Sequence, residues 1–251
     1  MGNLNDRVAL VTGAGGGMGR EHALLMAERG ADVAVADINI DGARETADRI
    51  RGLGRRCEVF ELDMADTAAV KAMAAGAESA LGRIDILVNN AGHGQRYALA
   101  DITEDDYDRM MDVHVKGSFF CTQAVVPGMQ ARNGGAIINI SSIWGQTGFR
   151  LASHYCGAKA ALLGMTKAWA QELAPWKIRV NAVAPGGVLS GGPLTMDSPE
   201  ELKAKQEAVP LKRFCEPREM AYAVGFLVSS EADFITGQVL SVNGGQVIVG
   251  I

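Results

Sequence analysis

Short, almost uninterrupted apolar runs recur along the chain and alternate with longer stretches of mixed polarity. The runs are rich in β-branched residues and lie at 8–11, 33–36, 59–62, 84–88, 136–140, 178–184 and 239–242. Strands that lack polar alternation are typical of a parallel sheet whose two faces are both covered by helices. The pattern therefore predicts a parallel sheet that is buried on both faces.

The stretches between these runs have the length and composition of helices. They predict helices at 19–29, 41–53, 66–81, 103–131, 154–174 and 217–229. Thr103 with Asp106, and Ser198 with Glu201, have the spacing of capping boxes, and Pro217 suits a first helical turn. The regular alternation of strand and helix predicts one doubly wound α/β domain with helices on both faces of the sheet.

One region interrupts the alternation within the single domain predicted for residues 1–251. Between 186 and 215 the chain has four glycines, three prolines and one short helical pattern at 199–208. Long irregular insertions in compact domains are usually functional or disordered. Because this one follows the carboxyl end of a strand, where ligands bind in such folds, we interpret it as a substrate lid.

Charge and composition exclude several classes of protein. The 24 basic and 29 acidic residues give a net charge of −5, which argues against a nucleic-acid partner. There is no run of about 18 apolar residues that could span a membrane. Polar Asn3, Asn5 and Asp6 stand where a signal peptide would become apolar. The four cysteines lie far apart without a C-x-x-C pair, so neither a disulfide scaffold nor a metal site is predicted, and we expect a cytoplasmic protein.

A glycine-rich turn follows the first predicted strand directly and leads into a helix. The turn is TGAGGGMG at 12–19. Glycine lets a backbone approach a diphosphate closely, and a helix N-terminus offers free N–H groups to it. Arg20 follows the turn and no Gly-Lys-Ser/Thr is present, which excludes a P-loop. The context predicts dinucleotide binding, an ordinary glycine-rich turn being the alternative, and the residues expected at the diphosphate are Gly13, Gly15, Gly17, Met18 and Gly19.

An acidic residue ends the second predicted strand and bears on the choice of cofactor. Asp37 lies 18 residues after Gly19, where a carboxylate can accept hydrogen bonds from both ribose hydroxyls of NAD. The same charge repels the 2′-phosphate of NADP, and no Lys or Arg lies within the glycine turn to offset it. Arg20 is within reach of that phosphate, yet NAD is the expected cofactor. Asp63, at the end of the third strand, is expected at the adenine edge or as a helix cap.

Candidate catalytic residues cluster after the fifth predicted strand. Tyr155 and Lys159 are four residues apart and so share one helix face. A neighbouring ammonium, with the positive nicotinamide ring, favours the phenolate, so we expect Lys159 and the ring to lower the pKa of Tyr155 from about 10 toward neutrality, where general acid–base catalysis works best. The Y-x-x-x-K pattern alone is weak, because it often joins unrelated surface residues. Ser142 strengthens it, since it lies just past the fifth strand and only 13 residues before Tyr155.

Together these features resemble the short-chain dehydrogenase/reductase family over essentially the whole chain. The resemblance is carried by TGAGGGMG at 12–19, Asp37, NNAG at 89–92, SS at 141–142, YCGAK at 155–159 and RVNAVAPG at 179–186. It implies a Rossmann-type fold in which Tyr155 is the catalytic acid/base. By the same resemblance, Ser142 hydrogen-bonds the substrate oxygen, and Lys159 lowers the tyrosine pKa while binding the nicotinamide ribose.

The resemblance also implies further binding residues. Those expected at the cofactor, besides the glycine turn and Asp37, are Asp63, Met64, Asn89, Ala91, Gly92, Pro185, Gly186, Val188 and Ser190. Those expected at the substrate are His93, Gln95, Arg96, Trp144, Gln146, Arg150, Gly187, Leu189, Leu194 and Met196. This mixture suggests a polar substrate such as a sugar, polyol or hydroxy acid. Arg96 or Arg150 is suited to pair with a carboxylate, although the preferred interpretation of each is a solvated loop residue.

The sequence departs from the family at one catalytic position. The family has an Asn in the long helix before the fifth strand, where it helps to hold a water that links the lysine to solvent. Here the corresponding residue is His114. Imidazole titrates near neutrality, so His114 is interpreted either as a proton relay or as a packed helix residue, and the sequence leaves both open.

Three functions remain in competition. The favoured one is an NAD-dependent dehydrogenase of a secondary or sugar-like alcohol. The second is a 3-oxoacyl-(acyl-carrier-protein) reductase, which usually prefers NADPH and needs paired arginines near the entrance. Arg132 suits one of that pair, but Gln171 stands where the other is expected. The third is a non-catalytic NAD-binding regulator. The family resemblance further implies a homotetramer or dimer assembled through the helices at 103–131 and 154–174.

Overall fold

The computed structural model describes residues 3–191 and 197–249, and within them seven strands form one parallel sheet. The strands are β1 Val8–Thr12, β2 Asp32–Asp37, β3 Cys57–Glu61, β4 Ile86–Asn89, β5 Gly135–Ile140, β6 Ile178–Pro185 and β7 Val239–Val242. Their spatial order is β3-β2-β1-β4-β5-β6-β7, so the winding direction reverses between β1 and β4. The predicted doubly wound α/β fold is confirmed.

Helices cover both faces of this sheet. They are α1 Gly17–Glu28, α2 Ile40–Gly52, α3 Thr67–Leu81, α4 Glu104–Met111, α5 Gly117–Ala131, α6 Ile143–Thr147, α7 Ser153–Leu173, α8 Pro199–Ala208 and α9 Pro217–Leu227. The capping boxes that begin α4 and α8 are confirmed, as is Pro217 in the first turn of α9. The short helix α6 was not among the predicted elements.

The prediction of one uninterrupted α-helix over 103–131 is wrong. A π-helical turn, Asp112–Lys116, separates α4 from α5, and the N–H of Gly117 donates to the carbonyl of Asp112, five residues earlier. Such a turn accommodates one extra residue and changes which side chains face inward. Here Val113 and His114 are both buried. Nothing in the hydrophobic pattern indicates the extra residue, because helical periodicity continues on either side.

The core lies in two layers, one on each face of the sheet. In β1, Ala9 and Val11 pack on one face against helices α1, α2 and α9, whereas Val8 and Leu10 pack on the other against α3, α5 and α7. Alternate side chains of a strand point to opposite faces, so a strand that is covered twice must be apolar throughout. This requirement explains the unbroken apolar runs of the central strands.

The expectation that every strand is buried on both faces is wrong for the two edge strands. Glu58 and Glu61 of β3 are exposed, and Leu240 of β7 is 37% exposed. An edge strand has a neighbour on one side only, so part of its surface remains in contact with solvent. The five central strands keep the predicted burial.

The described residues contain neither a membrane-spanning helix nor a cluster of metal-ligating side chains. None of their helices is long and apolar enough to cross a membrane. Within those same residues, no group of three or more His, Cys, Asp or Glu side chains is arranged to hold a metal ion.

Candidate active site

A cavity of about 960 Å³ lies at the carboxyl ends of the central strands. The segments that follow β1, β4, β5 and β6 all contribute to its lining. It spans the point between β1 and β4 where the winding reverses. The loops that follow these two strands leave the sheet in opposite directions there. Ligands of open α/β sheets bind at this switch point.

The turn after β1 has little room for side chains. A Cβ on Gly13 would lie 2.7 Å from Cα of Ala91, and a Cβ on Gly15 would lie 2.9 Å from Cγ of Asp37. Gly13 also has φ +66°, in the left-handed region that favours glycine. The N-terminus of α1 has no side-chain cap. Bare backbone and uncapped N–H groups fit a diphosphate, so the dinucleotide is compatible with the residues present.

Asp37 lines the cavity beside this turn and is held in a fixed orientation. Its Oδ2 accepts from the N–H of Gly15 at 2.7 Å, and its Oδ1 accepts from the N–H of Asn39 at 2.8 Å. Arg20 points elsewhere: its guanidinium donates to both carboxylate oxygens of Glu45, at 2.7 and 2.9 Å, and to the carbonyl of Gly15 at 2.7 Å. Arg20 is therefore engaged, while the Asp37 charge faces the cavity.

Asp63 and Met64 line the same end of the cavity. Asp63 accepts from Arg109 at 2.6 Å and from the N–H of Ala65 at 2.9 Å. Burial opposes ionisation, but the bonds from Arg109 and Ala65 hold the pKa of Asp63 below its usual range. The cap of α3 is Asp66, whose carboxylate accepts from two N–H groups of that helix, so the cap role considered for Asp63 belongs to Asp66.

The three candidate catalytic side chains converge at the other end of the cavity. Ser142 caps α6, and its Oγ accepts from the N–H of Trp144 at 3.1 Å. Tyr155 and Lys159 lie on the cavity-facing side of α7, with Lys159 Nζ 5.6 Å from the centre of the Tyr155 ring. Lys159 Nζ also donates to the carbonyl of Ile140 at 2.8 Å, which ties it to the end of β5.

The close packing of α6 on α7 fixes this geometry. Ser141 Oγ donates to the carbonyl of Lys159 at 2.7 Å. A Cβ on Gly145 would lie 2.7 Å from the carbonyl carbon of Lys159, so the two helices touch backbone to backbone. The segment after β5 and the catalytic helix therefore form one rigid unit, which a packed interior holds in place.

The lowering of the Tyr155 pKa is expected from Lys159 together with the nicotinamide ring, and it stays a prediction for the protein with its cofactor; in the chain alone the shift is in the opposite direction. Burial raises the pKa of Tyr155 to about 12, and the hydrogen bond from Ser142 offsets only part of that rise. Burial also lowers the pKa of Lys159 to about 7. Lys159 is buried and Tyr155 is partly buried, and desolvation disfavours the charged form of each. A phenolate at neutral pH therefore requires additional positive charge in the cavity.

His114 is buried against the loop that follows β4. Its Nε2 lies 3.0 Å from the backbone N and 2.9 Å from the carbonyl O of His93, and its ring meets Tyr155 edge-on with centres 5.6 Å apart. Burial and the Lys159 ammonium hold the pKa of His114 well below its usual range. The assumption that it titrates near neutrality is wrong, and a neutral, hydrogen-bonding imidazole fits the site better than a titrating one.

Most of the residues predicted from the sequence line the cavity, whereas four do not. Asn89 lies in the core, where it donates to Thr122 and Asn139, and it is Asn90 that reaches the cavity wall. The other three are Gln146, bonded to Ser241; Arg150, exposed on a turn; and Leu189, whose N–H donates to the carbonyl of Cys215. Leu194 and Met196 lie outside the described residues.

The structure adds lining residues that the sequence analysis missed. Those with long polar, charged or aromatic side chains include Arg109, Phe149, Asp197, Lys205, Phe214 and Gln246. Gln246 accepts from the N–H of Gly187 at 3.1 Å, and a Cβ on Gly187 would collide with the Phe214 ring. Asp197, Lys205 and Phe214 come from the segment interpreted as a lid and Gln246 from the C-terminal segment, whereas Arg109 lies in α4 and Phe149 in the turn between α6 and α7. The one available signal was the glycine pair at 186–187, which indicates close approach by another segment.

Comparisons with known proteins agree on one family. A family model described as enoyl-(acyl carrier protein) reductase matches residues 13–246. A 3-oxoacyl-(acyl-carrier-protein) reductase of Thermotoga maritima is 40% identical over 248 residues, covering 98% of this chain and 99% of the relative. A trans-4-hydroxycyclohexanecarboxylate dehydrogenase of Sinomonas cyclohexanicum is 39% identical, covering 96% and 93%. The crystal structure of carveol dehydrogenase from Mycobacterium avium in complex with NAD superposes with a TM-score of 0.93 at 31% identity, covering 98% and 99%.

The contact between Gly92 and His114 generates a stability prediction. A Cβ at position 92 would collide with Cε1 of His114, so Gly92→Ala is expected to lower the free energy of unfolding by about 1–3 kcal/mol. His114→Asn in the same background shortens the side chain and should recover most of that loss. Urea unfolding of the two single variants and the double variant measures the coupling. If the changes in unfolding free energy of the two single variants add up to that of the double variant, the two side chains are not in repulsive contact.

Proposed function

The chain belongs to the short-chain dehydrogenase/reductase family, whose members are oxidoreductases acting on CH–OH groups, and we propose that it is an NAD-dependent dehydrogenase of a secondary alcohol. The proposed substrates are sugars, polyols and hydroxy acids. The proposed reaction is hydride transfer between the alcohol carbon and the nicotinamide.

One observation carries the proposal. Ser142, Tyr155 and Lys159 line the same cavity as the glycine turn and Asp37. A proton-transferring tyrosine and a site suited to a dinucleotide thus share one enclosed volume at the switch point of the sheet. This combination favours redox chemistry on a small molecule over simple nucleotide binding.

The chain's own residues suit distinct parts of this reaction. NAD, when bound, supplies the hydride acceptor. The glycine turn is suited to hold its diphosphate, Asp37 its adenosine ribose and Lys159 its nicotinamide ribose. Ser142 Oγ hydrogen-bonds the substrate oxygen, while Tyr155 Oη takes the hydroxyl proton during oxidation and returns it during reduction. Gly92 and His93, held by His114, form the wall beside Tyr155.

The orientation of Asp37 supports NAD over NADP. Two backbone N–H groups fix the carboxylate facing the cavity, where a 2′-phosphate would meet its charge. Arg20 is paired with Glu45, so it is not placed to neutralise such a phosphate. At an effective dielectric constant of about 20, repulsion between unit charges a few ångströms apart is a few kcal/mol at most.

A 3-oxoacyl-(acyl-carrier-protein) reductase is the second candidate, because relatives of that name are as similar as the dehydrogenase relative. The carrier-binding role considered for Arg132 is weakened by its contacts. It donates to Glu78 at 2.9 Å and to the carbonyl of Ile84 at 2.8 Å. A non-catalytic NAD-binding regulator has less support, because Ser142, Tyr155 and Lys159 are all present in the cavity.

Two further proposals concern the state of the protein. We infer a cytoplasmic location, which is supported by four cysteines that are all free. We also infer a homotetramer or dimer built on the long helices. Phe119 of α5 is 40% exposed, and Phe234 and Ile248 are almost fully exposed, which leaves apolar area available for subunit contacts.

The central test is the initial rate of NADH formation over a panel of sugars, polyols, hydroxy acids and secondary alcohols. Tyr155→Phe is the matched blank, because it removes the proton acceptor and keeps the ring. We expect turnover of one substrate class that is lost in Tyr155→Phe, while NADH binding, followed by fluorescence, is retained. Normal turnover in the variant would exclude Tyr155 as the acid/base. Activity confined to 3-oxoacyl thioesters would favour the second candidate.

The high pKa of Tyr155 predicts the pH dependence of alcohol oxidation. Burial keeps the phenol protonated at neutral pH, and the phenolate is the form that accepts the hydroxyl proton. Below the operative pKa of Tyr155, kcat/KM should rise about tenfold per pH unit and then level off. Reduction of the ketone needs the protonated phenol, so its kcat/KM should stay level below that pKa and fall above it. A pH-independent kcat/KM for oxidation would contradict the assignment.

Asp37→Ser tests the basis of cofactor choice. Removing the carboxylate removes its repulsion of the 2′-phosphate and its bonds to the ribose. The ratio of kcat/KM for NADP to that for NAD is expected to rise about tenfold or more. Asp63→Ser at the same end of the cavity is the control, because Asp63 is already neutralised by Arg109. An unchanged ratio in Asp37→Ser would show that this carboxylate does not set the preference.

Light scattering coupled to size-exclusion chromatography tests the oligomer. The expected mass is that of four chains, or of two, at 26.4 kDa each. A monomer at micromolar concentration would contradict the proposed assembly.

A further inference from the structure

Three charged side chains meet at the lid side of the cavity, and none has a role in the reaction described above. Arg96 comes from the loop after β4, Asp197 precedes α8, and Lys205 lies in α8. One oxygen, Asp197 Oδ1, accepts from both Arg96 Nη1 and Lys205 Nζ, each at 2.6 Å. All three residues line the cavity that contains Tyr155.

This cluster carries an uncompensated positive charge. Burial opposes ionisation of Asp197, but the bonds from Arg96 and Lys205 hold its pKa below the usual range, so it is charged at neutral pH. Two cations therefore share one anion. Among the described residues, the buried Nε of Arg96 and the buried Oδ2 of Asp197 have no hydrogen-bond partner, so the cluster has one spare donor and one spare acceptor. A net positive charge with a spare donor, facing the cavity of a chain whose net charge is −5, favours a second anion.

A flat apolar wall connects this cluster with the catalytic residues. The Trp144 ring stacks on Phe149 with centres 4.1 Å apart and planes within 4° of parallel. Tyr155 meets Trp144 edge-on at 5.9 Å, and the Arg96 guanidinium lies 5.9 Å from the centre of the Trp144 ring. A substrate that extends from Tyr155 along this wall would place hydrocarbon against the aromatic rings and its far end near the cations.

We propose that the alcohol substrate carries a carboxylate separated from the reacting carbon by an apolar body, and that Arg96 and Lys205 bind that carboxylate. The inference rests on the proposed function, because Tyr155 defines the reacting end. Arg150, the other arginine considered for this role, does not line the cavity. The rival interpretation is that the cluster is only a latch between α8 and the loop after β4.

The test compares an acid and its amide at equal size. We would measure kcat/KM with NAD for 4-hydroxycyclohexanecarboxylate and for 4-hydroxycyclohexanecarboxamide. The wild-type protein is expected to prefer the acid by about tenfold or more, as for a charge-assisted bond in a partly buried site. In Lys205→Met this preference should fall about tenfold, through a higher KM for the acid. Arg96→Gln should have the same effect on the ratio.

A matched control lies on the same helix. Lys203 is exposed and does not line the cavity, so Lys203→Met removes an equal charge and should leave the acid-to-amide ratio unchanged. A latch alone would lower kcat/KM for acid and amide equally in Lys205→Met, and that outcome would overturn the proposal. So would a wild-type protein without preference for the acid.

A binding experiment separates this proposal from the proposed function. Cyclohexanecarboxylate and cyclohexanecarboxamide would be titrated calorimetrically into the protein–NAD complex, with and without Lys205→Met. Tighter binding of the acid that is lost in the variant would support the carboxylate site even if no alcohol of the panel turned over. Equal binding of acid and amide would overturn it, even if Tyr155-dependent turnover of neutral alcohols were established.

Discussion

The parallel pairing of the strands is the constraint on which the whole site depends. Parallel strands all end at the same edge of a sheet, so the segments that follow β1, β4, β5 and β6 are brought together although they begin at positions from Thr12 to Pro185 of the chain. The reversal between β1 and β4 then separates two loops and leaves the cavity between them. Each loop needs only a few suitable residues, because the sheet supplies their relative positions.

Burial makes the candidate catalytic residues dependent on one another and on what enters the cavity. Tyr155 and Lys159 both lose hydration, so neither is held in its charged form by the protein alone. The bond from Lys159 to the carbonyl of Ile140 and the Ser142 hydroxyl fix the geometry without supplying the missing charge. A positively charged ligand beside Tyr155 would therefore do more than bind, because it would favour the phenolate as well. In this arrangement, Tyr155 becomes reactive as a base when a positively charged ligand occupies the cavity.

The histidine at position 114 shows how a local substitution is accommodated by packing. The imidazole is larger than the amide that the family has there, and it occupies the space that a side chain at position 92 would need. The π-helical turn that carries His114 directs it onto the backbone of His93, and burial keeps it neutral. The loop that forms the wall beside Tyr155 is thus held by a hydrogen bond rather than by an ion pair.

The sequence by itself determined the elements and the chemistry that depends on local spacing. Apolar runs fix buried strands, a glycine turn between strand and helix fixes the phosphate-binding backbone, and a four-residue interval places Tyr155 and Lys159 on one helix face. Tertiary structure decided what depends on distant contacts. It alone turned Asn89 into the core, paired Arg20 with Glu45, inserted the π turn at His114 and brought Asp197 and Lys205 beside Arg96. The spacing of residues along the sequence indicates which face of a helix or strand a side chain occupies. The ion pairs and the pKa of that side chain depend on neighbours that the fold brings together.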